Sequence, residues 1–505
     1  MGRSQTQALE REVKFDAPVG LALPDLRELV GRTERIPQQQ LRTAYFDTVD
    51  GRLWHQAITL RHRITDGVDG GTWTLKLPHA ANGFSLERTE LSSSGERAEI
   101  PPGVHDIVRG LVRREPLQKL VELDTTRLRL ALHDRDDRVV AELDDDVVVV
   151  TGGPRDGLRF RQVELELSAT ESSVSKEVTA RLEEAGLAVE NSPKLAKAMG
   201  LPPSDSTRPR MDPRSLLADV VRTAIADGLD RLLEHDWRLR VALPEAAHDV
   251  HQARVAIRRL RSQLKTLGVV LDPIWVRHVR SDLEWVGSAL GELRDTDVLA
   301  VHLGDAPAQL GNELTRQRGV AAREVTTILA SDRYLDLLDR LHAATRTPPL
   351  LNGDENVRLE DAAGEALPDL VGTRWRALRR QVRKGGADPS DQQLHRIRIE
   401  ARHLRFAAEV AEPAVGQRAR RTASAAEKIQ AILGEHHDAV AAQAWLREQV
   451  GRAATSMQVH ALSPETLFEA GRLSAELRQG QHDLERRWLR AWKALAKPKN
   501  RRWLG

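Results

Sequence analysis

Two stretches of the C-terminal half carry histidine and arginine with the same spacing. The pattern H-x2-R-x3-R-x2-R begins at His251 and is repeated from His395. On an α-helix these positions fall within an arc of roughly 80°. Such a row of cationic groups attracts an extended polyanion. The predicted polyanion-binding residues are His251, Arg254, Arg258, Arg259, Arg261, Lys265, Arg376, Arg380, His395, Arg398, Arg402 and Arg405.

A second motif is duplicated together with the first. LGELRD at residues 290–295 recurs as LGEHHD at residues 433–438, and the glycine follows the histidine of its copy by 40 and 39 residues. Similar spacing of two separate motifs indicates an internal duplication. We therefore predict two related helical repeats, over residues 213–345 and 360–500. The copies differ where Lys265 of the first is replaced by Glu409 of the second.

The repeated histidines have a second possible role as metal ligands. LGEHHD supplies His436 and His437 in addition. However, the neighbouring arginines would repel a metal cation, so anion binding is the better assignment for His251 and His395. We expect Asp295 and Asp438 to orient arginines or to cap helices.

Charged residues also alternate along short segments of the N-terminal half. In a β-strand, residues i and i+2 point to the same side, so EREVK places Glu10, Glu12 and Lys14 in one row. The further rows pair Arg61 with Arg63, Thr74 with Lys76, Arg88 with Glu90, Arg127 with Arg129, and Glu164 with Glu166. Each row alone is typical of a solvated sheet face, but its repetition in six strands favours a common function.

If these strands close into a barrel, the charged rows can all face inward. Opposite charges or a charged ligand must then compensate their burial. A metal-bound triphosphate could compensate both kinds of row, because its metal carries positive charge and its phosphates carry negative charge. Carboxylates would bind Mg²⁺ or Mn²⁺, while lysine and arginine would neutralise phosphate oxygens. The metal ligands would be Glu10, Glu12, Glu164 and Glu166, and the phosphate ligands would be Lys14, Arg61, Arg63, Lys76 and Arg127.

The organisation of the chain follows from its length and from two hydrophobic periods. A chain of 505 residues exceeds one ordinary core, so at least two domains are expected. Period-two segments precede residue 203 and helical periods follow residue 213, with a proline-rich stretch between them. We predict an α+β multidomain protein with a mainly antiparallel β domain at 1–203, a linker at 204–212 and an all-α domain at 213–505.

Charge and composition narrow the function further. The net charge of +2 combines about −6 in residues 1–205 with about +8 in the remainder, so the second half is the anion binder by composition. Cysteine is absent, which excludes disulfides and thiolate metal sites. No segment is apolar for the roughly 18 residues of a membrane span, and we expect a cytoplasmic protein. Aromatic residues make up 4% of the chain, so stacking platforms for single-stranded nucleic acid are sparse.

The ordered motifs of the first half resemble a known family. The ExExK start, YFDT at residues 45–48, LRHR, TWTLKLP, the RxE at Arg88 and the late ELEL are together similar to the CYTH superfamily of triphosphate tunnel metalloenzymes. This resemblance covers most of residues 8–200. It implies an eight-stranded antiparallel tunnel and metal-dependent triphosphate hydrolysis, with adenylyl cyclase chemistry as an alternative within the superfamily. It further implies Asp144 as a metal ligand, Lys194, Arg88 and Arg129 as phosphate contacts, and Glu10, Glu12, Lys14 and Lys76 as catalytic residues.

The helical half resembles the CHAD domain, a module often found after CYTH. HQARVAIRRLRS and LGELRD with their repeats carry the resemblance, which spans about residues 213–500. It implies binding of inorganic polyphosphate along a basic groove and association with polyphosphate granules. The residues alone imply only an extended polyanion, and nucleic acid is less favoured because aromatics are sparse and a helix-turn-helix pattern is missing. A non-catalytic protein that only binds polyphosphate remains an alternative.

Overall fold

The computed structural model describes residues 6–78, 86–168, 173–202, 211–242, 246–304, 306–351, 360–455 and 462–504. The chain divides into two compact units, Met1–Thr207 and Arg208–Gly505. Most of the predicted linker at 204–212 lies outside the described residues. No described helix combines the length and the apolar composition needed to cross a lipid bilayer.

The first unit is a closed antiparallel barrel of eight strands, as predicted. The strands hydrogen-bond in the order β5-β4-β3-β2-β6-β7-β8-β1, and pairing of β1 with β5 closes the barrel. A ninth, two-residue strand adds to β1. The strands are β1 (Thr6–Asp16), β2 (Arg32–Asp47), β3 (Thr59–Thr65), β4 (Thr72–Pro78), β5 (Leu86–Ser94), β6 (Gln118–His133), β7 (Val139–Val150), β8 (Arg159–Leu167) and β9 (Ala188–Val189).

Strand β2 was not among the segments with a recognisable strand pattern. Its first half, RTERIPQQQ, is polar and contains Pro37, which has no N–H to donate to a neighbouring strand. The register with β6 shifts between Ile36 and Gln39, on either side of this proline. The sheet therefore accommodates the proline at an irregularity, which period-two patterns do not reveal.

Among the described residues, three α-helices accompany the barrel: α1 (Pro102–Val112), α2 (Ser173–Glu184) and α3 (Lys194–Met199). Outward-facing apolar residues of β1, β7 and β8, such as Phe15 and Val163, form a core with Val178 and Leu182 of α2. Helix α3 packs its apolar side against inward-facing apolar residues of β2, β6 and β7, including Tyr45. This packing places Lys194, the first residue of α3, at the charged interior of the barrel.

The second unit is mostly helical, as predicted. Its helices are α4 (Leu217–Ala242), α5 (Ala247–Leu267), α6 (Pro273–Leu303), α7 (Ala308–Ala330), α8 (Asp332–Arg346), α9 (Ala363–Gly385), α10 (Asp391–Val415), α11 (Gln417–Thr455), α12 (Pro464–Leu495) and α13 (Pro498–Arg501). Local sequence fixes several helix starts. Asp272 caps α6 before Pro273, and Ser390 forms a capping box with Gln393 at α10.

The two sequence copies meet in the middle of this unit. The segments that precede α4 and α9 form an antiparallel bridge between Leu216 and Ala362. Helix α5 packs against α10. The predicted packing stripes are buried in both helices: Ala253, Ile257, Leu260 and Leu264 in α5, and Ile397, Ala401, Leu404 and Ala408 in α10. Burial of these stripes leaves the duplicated arginines on the other side of each helix.

Candidate functional site

Alternation along the strands sends charged residues into the barrel, here called the tunnel. In β1, Glu12 and Lys14 lie opposite Glu166 and Glu164 of β8, whereas Phe15 faces the outer core. Residues opposite each other in the register share a face. The register and α3 bring together eight carboxylates, Glu10, Glu12, Glu90, Glu142, Asp144, Asp146, Glu164 and Glu166, and eight cations, Lys14, Arg61, Arg63, Lys76, Arg88, Arg127, Arg129 and Lys194.

Glu164 is the acidic centre of this network. Its carboxylate accepts hydrogen bonds from Lys14 Nζ at 2.6 Å and from Arg127 Nη2 at 3.3 Å, and pairs with Lys194 Nζ at 2.7 Å. Burial alone would raise the pKa of this carboxyl, but the surrounding cations hold it well below its usual value. The ionised form of Glu164 is therefore fixed by three elements, β1, β6 and α3.

Arg127 is the basic counterpart. It binds Asp146 through Nε and Nη2 at 2.8 and 2.7 Å and also pairs with Asp144. Arg129, one pleat along β6, donates to Asp144 at 3.2 Å and pairs with Glu142. The forked geometry of guanidinium holds both aspartates in fixed positions.

A second group of ion pairs lies on β1, β3, β4 and β5. Lys76 Nζ lies 2.6 Å from Glu10 Oε2 and 2.7 Å from Glu90 Oε1, and Arg61 Nη2 lies 3.4 Å from Glu90. Arg88 lies opposite Glu10 in the register of β1 with β5. The structure thus brings every tunnel residue proposed from the sequence into one interior.

Two tunnel residues have too little charge of the opposite sign around them. Burial and the nearby guanidinium groups of Arg61 and Arg127 lower the pKa of Arg63 to about 10. Burial and the nearby carboxylates, Asp144 first, raise the pKa of Glu166 to about 7. An anion near Arg63 and a cation near Glu166 would relieve these two opposite imbalances.

The carboxylates offer ligands for a hard cation. Buried Glu12 Oε1 has no hydrogen-bond partner among the described residues, and Glu166 lies opposite both Glu12 and Glu142. Oxygen-only ligands of this kind suit Mg²⁺ or Mn²⁺. Within the described parts of the chain, no three carboxylate or histidine side chains already converge as metal ligands. The donor types therefore fit a metal, although several carboxylates are held by lysine and arginine.

Sequence reasoning missed three tunnel carboxylates as candidate site residues: Glu90, Glu142 and Asp146. Asp145, between the two inward aspartates, points outward and binds Arg161 at 2.7 and 2.9 Å. Alternation outward from Asp144 along AELDDDVV would have identified Glu142 and Asp146. Glu90 already shares a strand row with Arg88.

In the helical unit, the arginines of both copies converge. Burial and repulsion by Arg402, Arg398 and Arg254 lower the pKa of Arg258 to about 8. Similarly, burial and repulsion by Arg398 and Arg261 lower the pKa of Arg402 to about 10. The two helix faces therefore form one basic cluster, which lacks enough negative charge to neutralise it.

The duplicated glycine motif is what brings the neighbouring helices close to these arginines. A Cβ on Gly291 would lie 3.3 Å from Arg254 Nη2, and one on Gly434 would lie 3.8 Å from Arg398 Nε. Asp295 accepts a hydrogen bond from Arg254 at 3.2 Å. The motif therefore supplies a close surface behind one arginine in each copy, and Asp295 orients the first of them.

Histidines line the same cluster, in surroundings that disfavour their protonation. Burial and the neighbouring arginines lower the pKa of His251 and of His395. The ring of His437 lies 4.5 Å from that of His395, and its pKa is lowered to about 4 for the same reasons. An anion bound here would favour the protonated imidazoles.

Some predicted polyanion ligands lie elsewhere. Arg259 and Arg405 both bind Glu409, and Arg376 and Arg380 are exposed on α9. The α9 arginine that reaches the cluster is Arg374, which donates to the Lys265 carbonyl at 2.9 Å. Arg280, Arg294 and His403 also contribute charge or imidazole to the cluster and were not predicted. His437, considered from the sequence only as a metal ligand, contributes a further imidazole. Arg294 and His437 occupy the same position of the duplicated LGELRD and LGEHHD motif, whereas Arg280 and His403 are revealed only by helix packing.

Comparisons with known proteins agree with this division. The model of the CYTH domain matches residues 8–196, and the model of the CHAD domain matches residues 223–447. Two proteins of Mycobacterium tuberculosis, from strains CDC 1551 and H37Rv and both described as uncharacterized, are 30% identical to the chain over 493 residues, covering 89% of this chain and 90% of theirs.

Solved structures include the CHAD domain from the plant Ricinus communis, which is 24% identical, has a TM-score of 0.45 and covers 57% of this chain and 95% of its own. An adenylyl cyclase candidate from Hippeastrum, described as having a dominant triphosphatase activity, is 17% identical, has a TM-score of 0.26 and covers 39% of this chain and 99% of its own. The two domain matches and the full-length relatives show that the chain belongs to the family in which a CYTH domain is followed by a CHAD domain.

Proposed function

We propose that the tunnel hydrolyses a triphosphate with Mg²⁺ or Mn²⁺ and that the helical unit binds inorganic polyphosphate. The CYTH family includes triphosphatases and adenylyl cyclase-like members, and its tunnels generally depend on a metal. The observation that carries the hydrolytic proposal is the tunnel interior, which combines eight carboxylates with eight cations. A single ligand that suits such a lining is a polyanion bound together with a metal cation.

In this proposal the tunnel cations bind and orient the phosphate chain. Arg63 would bind phosphate first, because it is buried among other cations and its pKa is lowered. Further phosphate oxygens would be bound by the other tunnel cations as these exchange carboxylate partners for substrate: Lys14, Arg61, Arg88, Arg127, Arg129 and Lys194. Lys76, with Glu10 and Glu90 on either side, would stay near the reacting end. Buried cations neutralise developing phosphate charge more effectively than solvated ones.

The metal would be held by Glu10, Glu12, Asp144, Glu164 and Glu166. When bound, it would supply Lewis-acid stabilisation of phosphate oxygens. A carboxylate that does not hold the metal, such as Glu142, can accept a hydrogen bond from the attacking water. The tunnel wall limits access of bulk water, so most of the catalysis comes from positioning and charge neutralisation.

The enzyme is tested by phosphate release from tripolyphosphate with Mg²⁺ or Mn²⁺. We expect Glu10→Ala/Glu12→Ala to lower the rate at least about a hundredfold, in line with loss of charged catalytic groups. Asp124→Ala removes a carboxylate from the outer face of β6, where it pairs with Arg42, and should leave the rate unchanged. Equal rates for the double variant and the wild type would refute the assignment.

Product analysis separates the alternatives for the tunnel. With ATP as substrate, a cyclase releases pyrophosphate and a cyclic nucleotide, whereas a triphosphatase releases orthophosphate. A purified protein that binds polyphosphate tightly yet turns over no triphosphate with any divalent metal would be the non-catalytic binding protein.

Polyphosphate binding is proposed from the convergence of Arg254, Arg258, Arg398 and Arg402. CHAD domains are associated with polyphosphate, which fits this cluster. Arg258→Glu/Arg402→Glu should abolish binding, whereas Arg472→Glu/Arg486→Glu on α12 should not. Competition of polyphosphate against DNA and RNA at fixed salt tests the nucleic-acid alternative, since all these ligands depend on ionic strength. A protein with this affinity would associate with polyphosphate granules in cells.

A further inference from the structure

The two copies of the basic helix, α5 and α10, can be aligned residue by residue without a gap. Adding 144 to a residue number of α5 gives the equivalent position of α10, as from His251 to His395. The ion pair that joins each basic helix to the next long helix of its copy is repeated as well. Arg261 Nη2 lies 2.8 Å from Glu284 Oε1 of α6, and the equivalent Arg405 Nη2 lies 2.9 Å from Glu427 Oε1 of α11. Differences between the copies can therefore be compared position by position.

We call Arg258 and Arg402 the central arginines of the cluster. On one side of them, a carboxylate that is present in only one copy, Glu409, neutralises the neighbouring arginines. Glu409 accepts a hydrogen bond from Arg405 Nε at 2.8 Å and lies 2.6 Å from Arg259 Nη2. Both guanidinium groups also lie over the ring of Phe406, at 5.4 and 5.3 Å. We call these three charged residues, Arg259, Arg405 and Glu409, the neutralised branch.

The equivalent positions on the other side lack this acid. Lys265 takes the place of Glu409, and His403 takes the place of Arg259. His403 Nδ1 is 2.9 Å from Ser262 Oγ, and the Lys265 carbonyl accepts from Arg374 Nη2 at 2.9 Å. Arg280 of α6 lies close enough to repel Arg261 and Lys265. We call Arg261, Lys265, Arg280 and Arg374 the basic branch.

The basic branch contains unused hydrogen-bond donors. The Nε atoms of Arg261, Arg280 and Arg374 are buried without a hydrogen-bond partner among the described residues, as is that of the central Arg402. The neutralised branch has one such donor, Arg259 Nε, but there Glu409 already lies beside the guanidinium group. A carboxylate, Glu400, attracts Lys265 and Arg374, but its buried Oε2 likewise lacks a hydrogen bond. A buried donor without an acceptor destabilises the folded protein, and a ligand that accepts its hydrogen bond removes this cost.

The charges of the branch indicate which acceptor is missing. Burial and neighbouring cations lower the pKa of Lys265 and of Arg280, and they lower that of His403 to about 2. Burial lowers the pKa of Arg259 in the neutralised branch as well, but there the carboxylate of Glu409, 2.6 Å from Arg259 Nη2, opposes the shift. An anion with several acceptor oxygens would satisfy the basic branch and would be repelled by Glu409.

We propose that polyphosphate takes a one-sided path across the helical unit, from the central Arg258 and Arg402 along the basic branch, and that Glu409 closes the equivalent path on the other side. This inference rests on the proposed polyphosphate binding and adds its direction and its specificity residues. The central arginines lie near Arg254 and Arg398, and Arg402 lies near Arg261. The cations are thus continuous from the centre into the basic branch.

The first test removes equal charge from the two sides in the full-length protein. Arg280→Ala/Arg374→Ala should weaken the affinity for long-chain polyphosphate at least about tenfold and reduce its salt dependence by about two charges. Arg231→Ala/Arg420→Ala is the matched control, because these arginines line the cleft that also contains Arg259 and Glu409. The control should change affinity less than about twofold, as expected for cations off the path. Arg280→Lys/Arg374→Lys should restore most of the affinity if the loss is electrostatic rather than due to misfolding.

The second test exchanges the copy-specific residues. Glu409→Lys gives the second copy the residue of the first, and should strengthen polyphosphate binding and increase its salt dependence by opening the second branch. Lys265→Glu should instead block the basic branch and weaken binding strongly. The charge-matched controls, Glu476→Lys and Lys493→Glu, change exposed residues of α12 and should have small effects.

The outcomes separate the path from the function on which it rests. If the wild type binds polyphosphate but the losses on the two sides are equal, the one-sided path is wrong and the binding function stands. If Glu409→Lys has no more effect than Glu476→Lys, Glu409 does not close a path. Absence of polyphosphate binding by the wild type would overturn both proposals. A selective loss in Arg280→Ala/Arg374→Ala together with a gain in Glu409→Lys would support the path.

Discussion

The tunnel and the basic helical cluster are both rich in arginine and lysine, but they differ in how that charge is compensated. In the tunnel, Arg127 alone pairs with Asp144, Asp146 and Glu164. In the helical cluster, Arg258 lies mainly among other arginines, and Asp438 offsets their repulsion only in part. The tunnel is close to neutral before any ligand binds, whereas the cluster is not.

This difference points to different ligands. A neutral lining of fixed ion pairs favours a ligand that brings both signs of charge, as a metal-bound triphosphate does. A cluster whose described cations have too few carboxylate partners favours a bare polyanion, which supplies the missing negative charge. The same residue types therefore predict catalysis in one unit and binding in the other, depending on the carboxylates between them.

The largest expected effect is the loss of a tunnel cation. Arg127→Met removes the guanidinium group that pairs with buried Asp144, Asp146 and Glu164, and should lower the free energy of unfolding of the barrel by about 3–5 kcal/mol. Hydrogen exchange of the β6 and β7 amides, followed as urea is raised, would measure this loss. A loss below about 1 kcal/mol would contradict the view that ion pairs stabilise the tunnel, since that is the size expected of surface pairs.

Polyphosphate should stabilise the helical unit. A ligand present at a hundred times its dissociation constant adds about 2.7 kcal/mol if it binds only the folded state. The thermal unfolding midpoint of the helical unit should therefore rise with polyphosphate in metal-free buffer. Arg258→Glu/Arg402→Glu should abolish the shift, and an undiminished shift in that variant would place the binding site elsewhere.

Replacing an arginine with methionine should change the free energy of unfolding in the opposite direction in the helical cluster. Arg258→Met removes a charge from among repelling arginines, and in anion-free buffer it should raise the free energy of unfolding by about 1 kcal/mol. Polyphosphate affinity should fall in the same variant. Urea unfolding with and without polyphosphate would measure both changes. Destabilisation similar to that of Arg127→Met would remove the proposed contrast between the two units.

The smallest predicted effect concerns pH. Because the pKa of His395 is lowered and that of His437 is about 4 in the folded protein, both rings bind protons less readily there than in the unfolded chain, where histidine protonates near its ordinary pKa of about 6.5. Without ligand, stability should therefore fall as the pH drops from about 6.5 towards 4. Bound polyphosphate favours the protonated rings, so its affinity should rise severalfold over the same range.

Titration of polyphosphate binding from about pH 7.5 to about pH 4 would check this prediction. His395→Gln/His437→Gln should reduce the pH dependence and leave the arginine contribution in place. Affinity that does not change with pH in the wild type would show that these imidazoles stay neutral in the complex.

Much of the architecture could be predicted because each unit follows one hydrophobic period. Alternation placed Glu10, Glu12 and Lys14 on one side of β1, and the helical period separated Arg258 from the buried Ile257. Strand β2 escaped prediction because Pro37 and its polar neighbours break the alternation. Helix α3 was also missed as an element, although its first residue, Lys194, was proposed from the family resemblance.

The sequence by itself determined which faces carry charge, that the helical half is duplicated, and that anions are the expected ligands. These conclusions depend on spacing along the chain, which secondary structure converts directly into faces. Only the tertiary structure decided which charges compensate each other. Asp146 meets Arg127 and Lys194, Glu409 joins Arg259 to Arg405, and Arg280 and Arg374 extend the basic cluster. Such pairings join residues far apart in sequence, and Coulomb energies depend on distance and burial rather than on sequence separation.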